Sequence, residues 1–96
     1  MRRAARIDVN QPDIVDALRK AGATVQPLHT VGKGCPDLLV GWRGLNLLIE
    51  VKNGKLSQSR RKLTPDETRW CGEWKGIVHI VTDAAQAVGL LSILRP

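Results

Sequence analysis

The residues of this chain best suited to chemistry are three charged groups set among apolar neighbours: Asp37, Glu50 and Lys52. Leu47-Leu48-Ile49-Glu50-Val51-Lys52 alternates as a strand does. Leu47, Ile49 and Val51 then share one face, and Leu48, Glu50 and Lys52 share the other. Glu50 and Lys52 are therefore same-face neighbours, about 7 Å apart along the backbone. Asp37 heads a second apolar run, Asp37-Leu38-Leu39-Val40, where a carboxylate is unusual because an unpaired buried charge is expensive. If the two runs fold back through Arg43-Gly44, the start of one meets the end of the other, and Asp37 meets Glu50 and Lys52.

Two carboxylates and an ammonium at the end of a hairpin suit hydrolysis assisted by a divalent cation. Their hard oxygen atoms are ligands that Mg²⁺ or Mn²⁺ prefers. A cation so held lowers the pKa of its bound water. Lys52 can orient that water, or offset the negative charge that grows on a phosphodiester. Because Mg²⁺ keeps several waters, two or three protein ligands are enough. The spacing alone fits equally well a buried ion pair between Lys52 and one carboxylate, with no catalytic part.

The elements that must position these groups can be read from the pattern. Residues 10–22 read as a first helix, with Asn10 as N-cap, Pro12 in the first turn and Gly22 at the end. Ile14, Val15, Leu18 and Ala21 recur at helical spacing, and the same phase turns Gln11 inward. Asp13 falls on the solvent side, where it can complete a capping interaction with Asn10. Residues 24–29 read as a short edge strand, since Pro27 lacks an N–H. Residues 31–35 read as a loop without the spacing of a nucleotide-binding P-loop. Residues 36–42 and 45–52 are the hairpin strands, followed by a basic loop over 53–62.

Thr64-Pro65-Asp66-Glu67 opens a second helix with a capping box, and Trp70 and Trp74 form its apolar stripe. Residues 77–81 read as a strand. Asp83 then caps a last helix expected to bury Val88, Leu90, Leu91 and Leu94. His29 reads as a surface residue at a strand end, and His79 as core or interface.

Composition bounds the function class. The 96 residues allow one domain, spanning 1–96, with no room for a second core. The 15 Lys and Arg against 9 Asp and Glu leave a net charge of +6, pointing to a polyanionic partner. Five cations and no acid fall between Lys52 and Lys62. Cys35 and Cys71 lack the spacing of a zinc site and read as reduced structural thiols. No apolar run approaches the ~20 residues of a membrane-spanning helix, and the basic start has no apolar run behind it as a secretory signal would. An aromatic content of 3 %, all Trp, speaks against a stacking platform for single strands.

Gly34-Cys35-Pro36-Asp37-Leu38-Leu39-Val40-Gly41, followed by Leu48-Ile49-Glu50-Val51-Lys52-Asn53-Gly54, resembles the PD-(D/E)xK nuclease superfamily, and within it the VRR-NUC family of small phage-type members. Leu63-Thr64-Pro65-Asp66-Glu67 and Trp70 match a segment those proteins usually carry. The resemblance spans nearly the whole chain. It implies an α/β, restriction-endonuclease-like core in the order α-β-β-β-α-β-α, with a mixed four-stranded sheet flanked by helices. It implies Asp37 and Glu50 as catalytic metal ligands, the main-chain carbonyl of Val51 as a further ligand, and Lys52 as the catalytic lysine. In the family the first helix typically adds a Glu, a position that helical phase assigns here to the uncharged Gln11. The usual Gln after Leu-Thr-Pro is here Glu67, which fits a capping role ahead of a site-lining one.

The expected activity is Mg²⁺- or Mn²⁺-dependent cleavage of DNA, with branched forms such as a Holliday junction as substrates, by a homodimer in the cytoplasm of a bacterial or phage-infected cell. Lys33, Lys55, Arg60, Arg61 and Lys62, with the Arg-rich start, are the expected phosphate contacts. The competing expectation is a nucleic-acid-binding module that keeps the nuclease fold without cleaving.

Overall fold

The computed structural model describes residues 7–94, apart from the side chains of Arg60 and Arg61. The described residues form, in order, α1 (Gln11–Lys20), β1 (Thr24–Pro27), β2 (Leu38–Trp42), β3 (Leu45–Val51), a 3₁₀ turn (Gln58–Arg61), α2 (Pro65–Glu73), β4 (Val78–Val81) and α3 (Ala84–Ile93). The strands lie in one sheet in the order β1-β2-β3-β4, antiparallel except for β3 with β4. The expected element order and mixed sheet are therefore present. Parallel pairing requires a crossover between β3 and β4, and the 3₁₀ turn and α2 provide it.

The hairpin sets the register. Arg43 and Gly44 both take positive φ, at 46° and 83°, the conformation that matches a two-residue turn to the twist of its strands. Leu38 then pairs with Ile49, and Val40 with Leu47. Leu38, Val40, Ile49 and Val51 are fully buried against Ile14, Leu18, Ala87 and Leu91 of α1 and α3. This is the core, on one face of the sheet.

Five local expectations change. Asn10 precedes α1 but makes no side-chain cap, because its backbone is already helical (φ −88°, ψ −3°) instead of extended. Its Nδ2 instead donates to the carbonyls of Lys52 (3.1 Å) and Thr82 (2.8 Å), tying the helix start to the ends of β3 and β4. The basic segment holds a 3₁₀ turn where a loop was expected. In α3, Ala87 and Leu91, four apart, face the core, whereas Val88 is turned away and exposed. In α2, Trp70 and Trp74 stack on each other, with centroids 4.8 Å apart, and no residue of that helix is buried. β1 also stops at Pro27, short of His29: the ladder ends at the Pro27–Leu38 pair, and Leu28 N–H donates to the Asp37 carbonyl instead.

Candidate active site

One end of the hairpin opens into a cavity of about 300 Å³ that contains Asp37, Glu50 and Lys52 together. Three elements build it. Glu50 and Lys52 come from β3 and the residue after it, on the face opposite the apolar core. Asp37 immediately precedes β2. Its Oδ2 accepts the Val51 N–H at 2.7 Å, so the hairpin backbone itself aims this carboxylate. Glu67, in the first turn of α2, closes the far side: its Oε1 lies 2.6 Å from Lys52 Nζ.

The loop between β1 and β2 forms the rim. Gly34 has φ +83° and lies so close to the first turn of α2 that a Cβ would collide with the Asp66 carbonyl, so only glycine allows this approach. Lys33, also at positive φ, lines the same cavity with an exposed side chain. The capping box of α2 is complete: Glu67 N–H donates to Thr64 Oγ1 at 3.2 Å, and Thr64 N–H donates to Glu67 Oε1 at 2.8 Å. Glu67 thus both caps the helix and contacts the site.

The electrostatics are those of carboxylates in need of a cation. Glu50 is 2 % exposed, and burial pushes its carboxyl up to about 10, aided by its hydrogen bond with Glu67 and by the charges of Asp37 and Glu67; Lys52 opposes the shift. Burial also raises Asp37, against the pull of the Val51 N–H, and the negative charge of Asp8 adds to the rise. Burial alone would lower Lys52, but the hydrogen bond and charge of Glu67, with the charge of Glu50, hold it above its ordinary value. Glu67 is held low despite burial by its hydrogen bonds with Glu50, Lys52 and Thr64. In the absence of a cation, Glu50 is therefore protonated at neutral pH. The thiols of Cys35 and Cys71 are pushed up by burial and then by these carboxylates, and both cysteines are free.

The expected site residues divide into those the fold gathers and those it does not. Asp37, Glu50, Lys52 and Lys33 line one cavity, and the backbone of Val51 touches Asp37. Gln11 is turned inward as its helical phase requires and is 4 % exposed, but it lines a neighbouring cavity with Val15, Pro27 and His29. Its Oε1 is buried without a hydrogen-bond partner among the described residues. Lys55 is exposed beside the starts of α1 and α3, and Lys62 is exposed after the 3₁₀ turn. The side chains of Arg60 and Arg61, and the arginines of the first six residues, lie outside the described residues.

Sequence reasoning missed Asp8, which lines the cavity one helical turn before Gln11. Extending the inward stripe of α1 backwards by three residues would have found it. His29, read as a surface residue, is half-buried and also lines the cavity. Glu67, for which a cap is the favoured reading over a site-lining role, fills both, since it also reaches Lys52.

A divalent cation fits this donor set. Asp37 and Glu50 offer oxygen atoms only, and Glu50 is ionised at neutral pH only if positive charge replaces its proton. Among the described residues no three His, Cys, Asp or Glu side chains gather into a metal cage. Mg²⁺ does not require one, since it takes one or two carboxylates and keeps water.

Comparison with solved structures returns a VRR_NUC domain, with a TM-score of 0.66 and 25 % identity, covering 88 % of this chain and 92 % of that one. The fold is of the VRR_NUC nuclease type. No family model and no curated protein matches the chain.

Proposed function

We propose that this chain is a metal-dependent DNA endonuclease that hydrolyses phosphodiester bonds, acting on branched DNA such as a Holliday junction. The observation that carries the reading is the convergence of Asp37, Glu50 and Lys52 on one cavity at the end of a hairpin. The likeness to a VRR_NUC domain supports a nuclease as the general class.

In this reading Asp37, Glu50 and the main-chain carbonyl of Val51 hold Mg²⁺ or Mn²⁺. When bound, the ion supplies positive charge that makes water a better nucleophile and counters charge on the phosphoryl oxygens. The Val51 N–H keeps Asp37 oriented. Lys52, kept protonated by Glu67 and Glu50, donates to the scissile phosphate and balances its growing charge. Asp8 adds negative charge at the rim, and the uncharged Gln11 acts from the adjoining cavity. Lys33 at the rim contacts a phosphate beside the cut, and Lys55, Arg60, Arg61 and Lys62 grip the backbone further out, with little sequence preference.

A symmetric homodimer would present two cavities to two strands.

The decisive experiment incubates the protein with labelled four-way junction and duplex DNA in Mg²⁺, Mn²⁺ or EDTA. Expected are metal-dependent nicks, favoured on the junction, that Glu50→Ala or Lys52→Ala lowers about a hundredfold or more. Salt-sensitive binding without nicking in any metal would favour the non-cleaving module instead. Cleavage in EDTA would overturn the metal-dependent reading.

A further inference from the structure

We propose that Glu67 is a positioning residue that takes the closer hold on Lys52 and so lessens its competition with a divalent cation for Glu50. The inference rests on the reading of this cavity as a metal-dependent nuclease site.

Lys52 springs from the end of β3, one residue removed from Glu50, yet its ammonium lies nearer α2 than its own strand. Nζ is 2.6 Å from Glu67 Oε1 and 3.4 Å from Glu50 Oε2. The first distance is that of a strong charge-assisted hydrogen bond, and the second, still a salt bridge, is the looser of the two. Both groups are shielded, with Lys52 at 13 % and Glu67 at 18 % side-chain exposure, so their attraction is screened less than that of a surface pair.

Glu67 can hold the ammonium because it is itself held. The same Oε1 accepts the Thr64 N–H, and its own N–H donates to Thr64 Oγ1. The first turn of α2 is in turn pressed against Gly34 of the rim loop, where a side chain would not fit. Since α2 buries no residue among those described, apolar packing does not set this position. The polar contacts and the backbone approach do.

A glutamine at this position would still complete the capping box, since its amide oxygen accepts the same N–H. It would carry no charge to hold an ammonium. Lys52 would then fall back on Glu50 and compete with a cation for the same oxygen. Glu67 thereby assigns the two neighbours on β3 to separate tasks.

The test measures Mn²⁺ binding to the full chain, by calorimetry or the paramagnetic resonance of the free ion, without DNA. Glu67→Gln is expected to weaken binding about tenfold, the equivalent of one charge-assisted hydrogen bond. Asp66→Asn removes a charge from the same cavity rim without touching Lys52, since Asp66 faces Arg69 at 3.9 Å. It should weaken binding less than about twofold. In a Lys52→Met background, Glu67→Gln should have almost no effect, because the competitor is gone.

An equal loss from Glu67→Gln and Asp66→Asn, or an undiminished loss in the Lys52→Met background, would overturn the inference and leave only bulk charge. Wild-type protein that binds no Mn²⁺ would defeat the nuclease reading and this inference with it. Wild-type binding that Glu67→Gln leaves unaltered would defeat the inference alone. Should Glu67→Gln lower the thermal midpoint, the comparison within the Lys52→Met background still separates lost structure from lost positioning.

Discussion

The two faces of strand β3 are built by opposite rules. On one, Leu47, Ile49 and Val51 are buried against α1 and α3 in a dry core closed by apolar contact. On the other, Glu50 is just as deeply buried, but its surroundings are Lys52, Glu67 and Asp37, and the helix beside it buries nothing. One strand therefore carries a face that folds the protein and a face whose burial works against folding. The apolar face stabilises the fold enough to hold a carboxylate where water would not leave it charged. A site of this kind needs a scaffold whose stability is generated elsewhere.

The largest effect that would break this contrast is a cut into the folding face. Ile49→Ala removes a fully buried side chain between Glu50 and Leu48, and should cost about 2–5 kcal/mol of unfolding free energy in a denaturant titration. Lys52→Ala, on the opposite face, should cost far less stability while removing cleavage. Equal losses of stability would show that the two faces are not separable.

The second prediction concerns pH. Glu50 has a folded pKa of about 10 against 4.5 for the free carboxyl, so between these values the folded state binds the extra proton. By linkage, stability from this group is full below about pH 4.5 and falls as pH rises through the window towards 10. Glu67, held low, acts oppositely: its contribution is present above its ordinary range and is lost on acidification. Glu50→Gln should therefore raise the thermal midpoint of the metal-free protein near neutral pH, by about 5 °C, and flatten its decline towards alkaline pH. Mg²⁺ should stabilise the wild type and not this variant. A midpoint lowered by Glu50→Gln would mean that the carboxylate is an ordinary stabilising ion-pair partner.

The smallest effect sharpens the account of α2. Thr64→Ala removes one arm of the capping box and should cost about 1 kcal/mol by thermal denaturation. In a helix with no buried residue, that loss should loosen the crossover and leave the core unaffected. Hydrogen exchange should accelerate in α2 and remain slow in β2 and β3.

Most of the fold is legible in the sequence, for reasons visible in particular residues. The alternation from Leu47 to Lys52 separates the faces because strand side chains alternate without exception. Thr64-Pro65-Asp66-Glu67 announces α2 because the capping box is satisfied by local groups alone. The misreadings were of a different kind. Asn10 looked like a cap, but its amide is used by carbonyls 42 and 72 residues away. Trp70 and Trp74 fit a core stripe by spacing, but they stack on each other in a helix that buries no residue.

The site was half legible. Asp37, Glu50 and Lys52 stood out because charged residues at buried strand positions conflict with burial, and that conflict is local. Asp8 is marked only by carrying the inward stripe of α1 three residues back, nothing local marks His29, and the closing of the rim loop and the α1 approach bring both to the cavity.

By itself, the sequence determined the alternation of β3, the turn that pairs it with β2, the helix starts, and the three charged groups that such a hairpin gathers. All of these depend on periodicity, capping and two-residue turns, which act over a few residues. Only the tertiary structure decided that Lys52 lies nearer Glu67 than Glu50, that Asp8 faces the cavity in place of Gln11, and that Asn10 ties α1 to the ends of two strands. Those outcomes depend on where distant segments come to rest, and burial sets the energy of a charge only after they have done so.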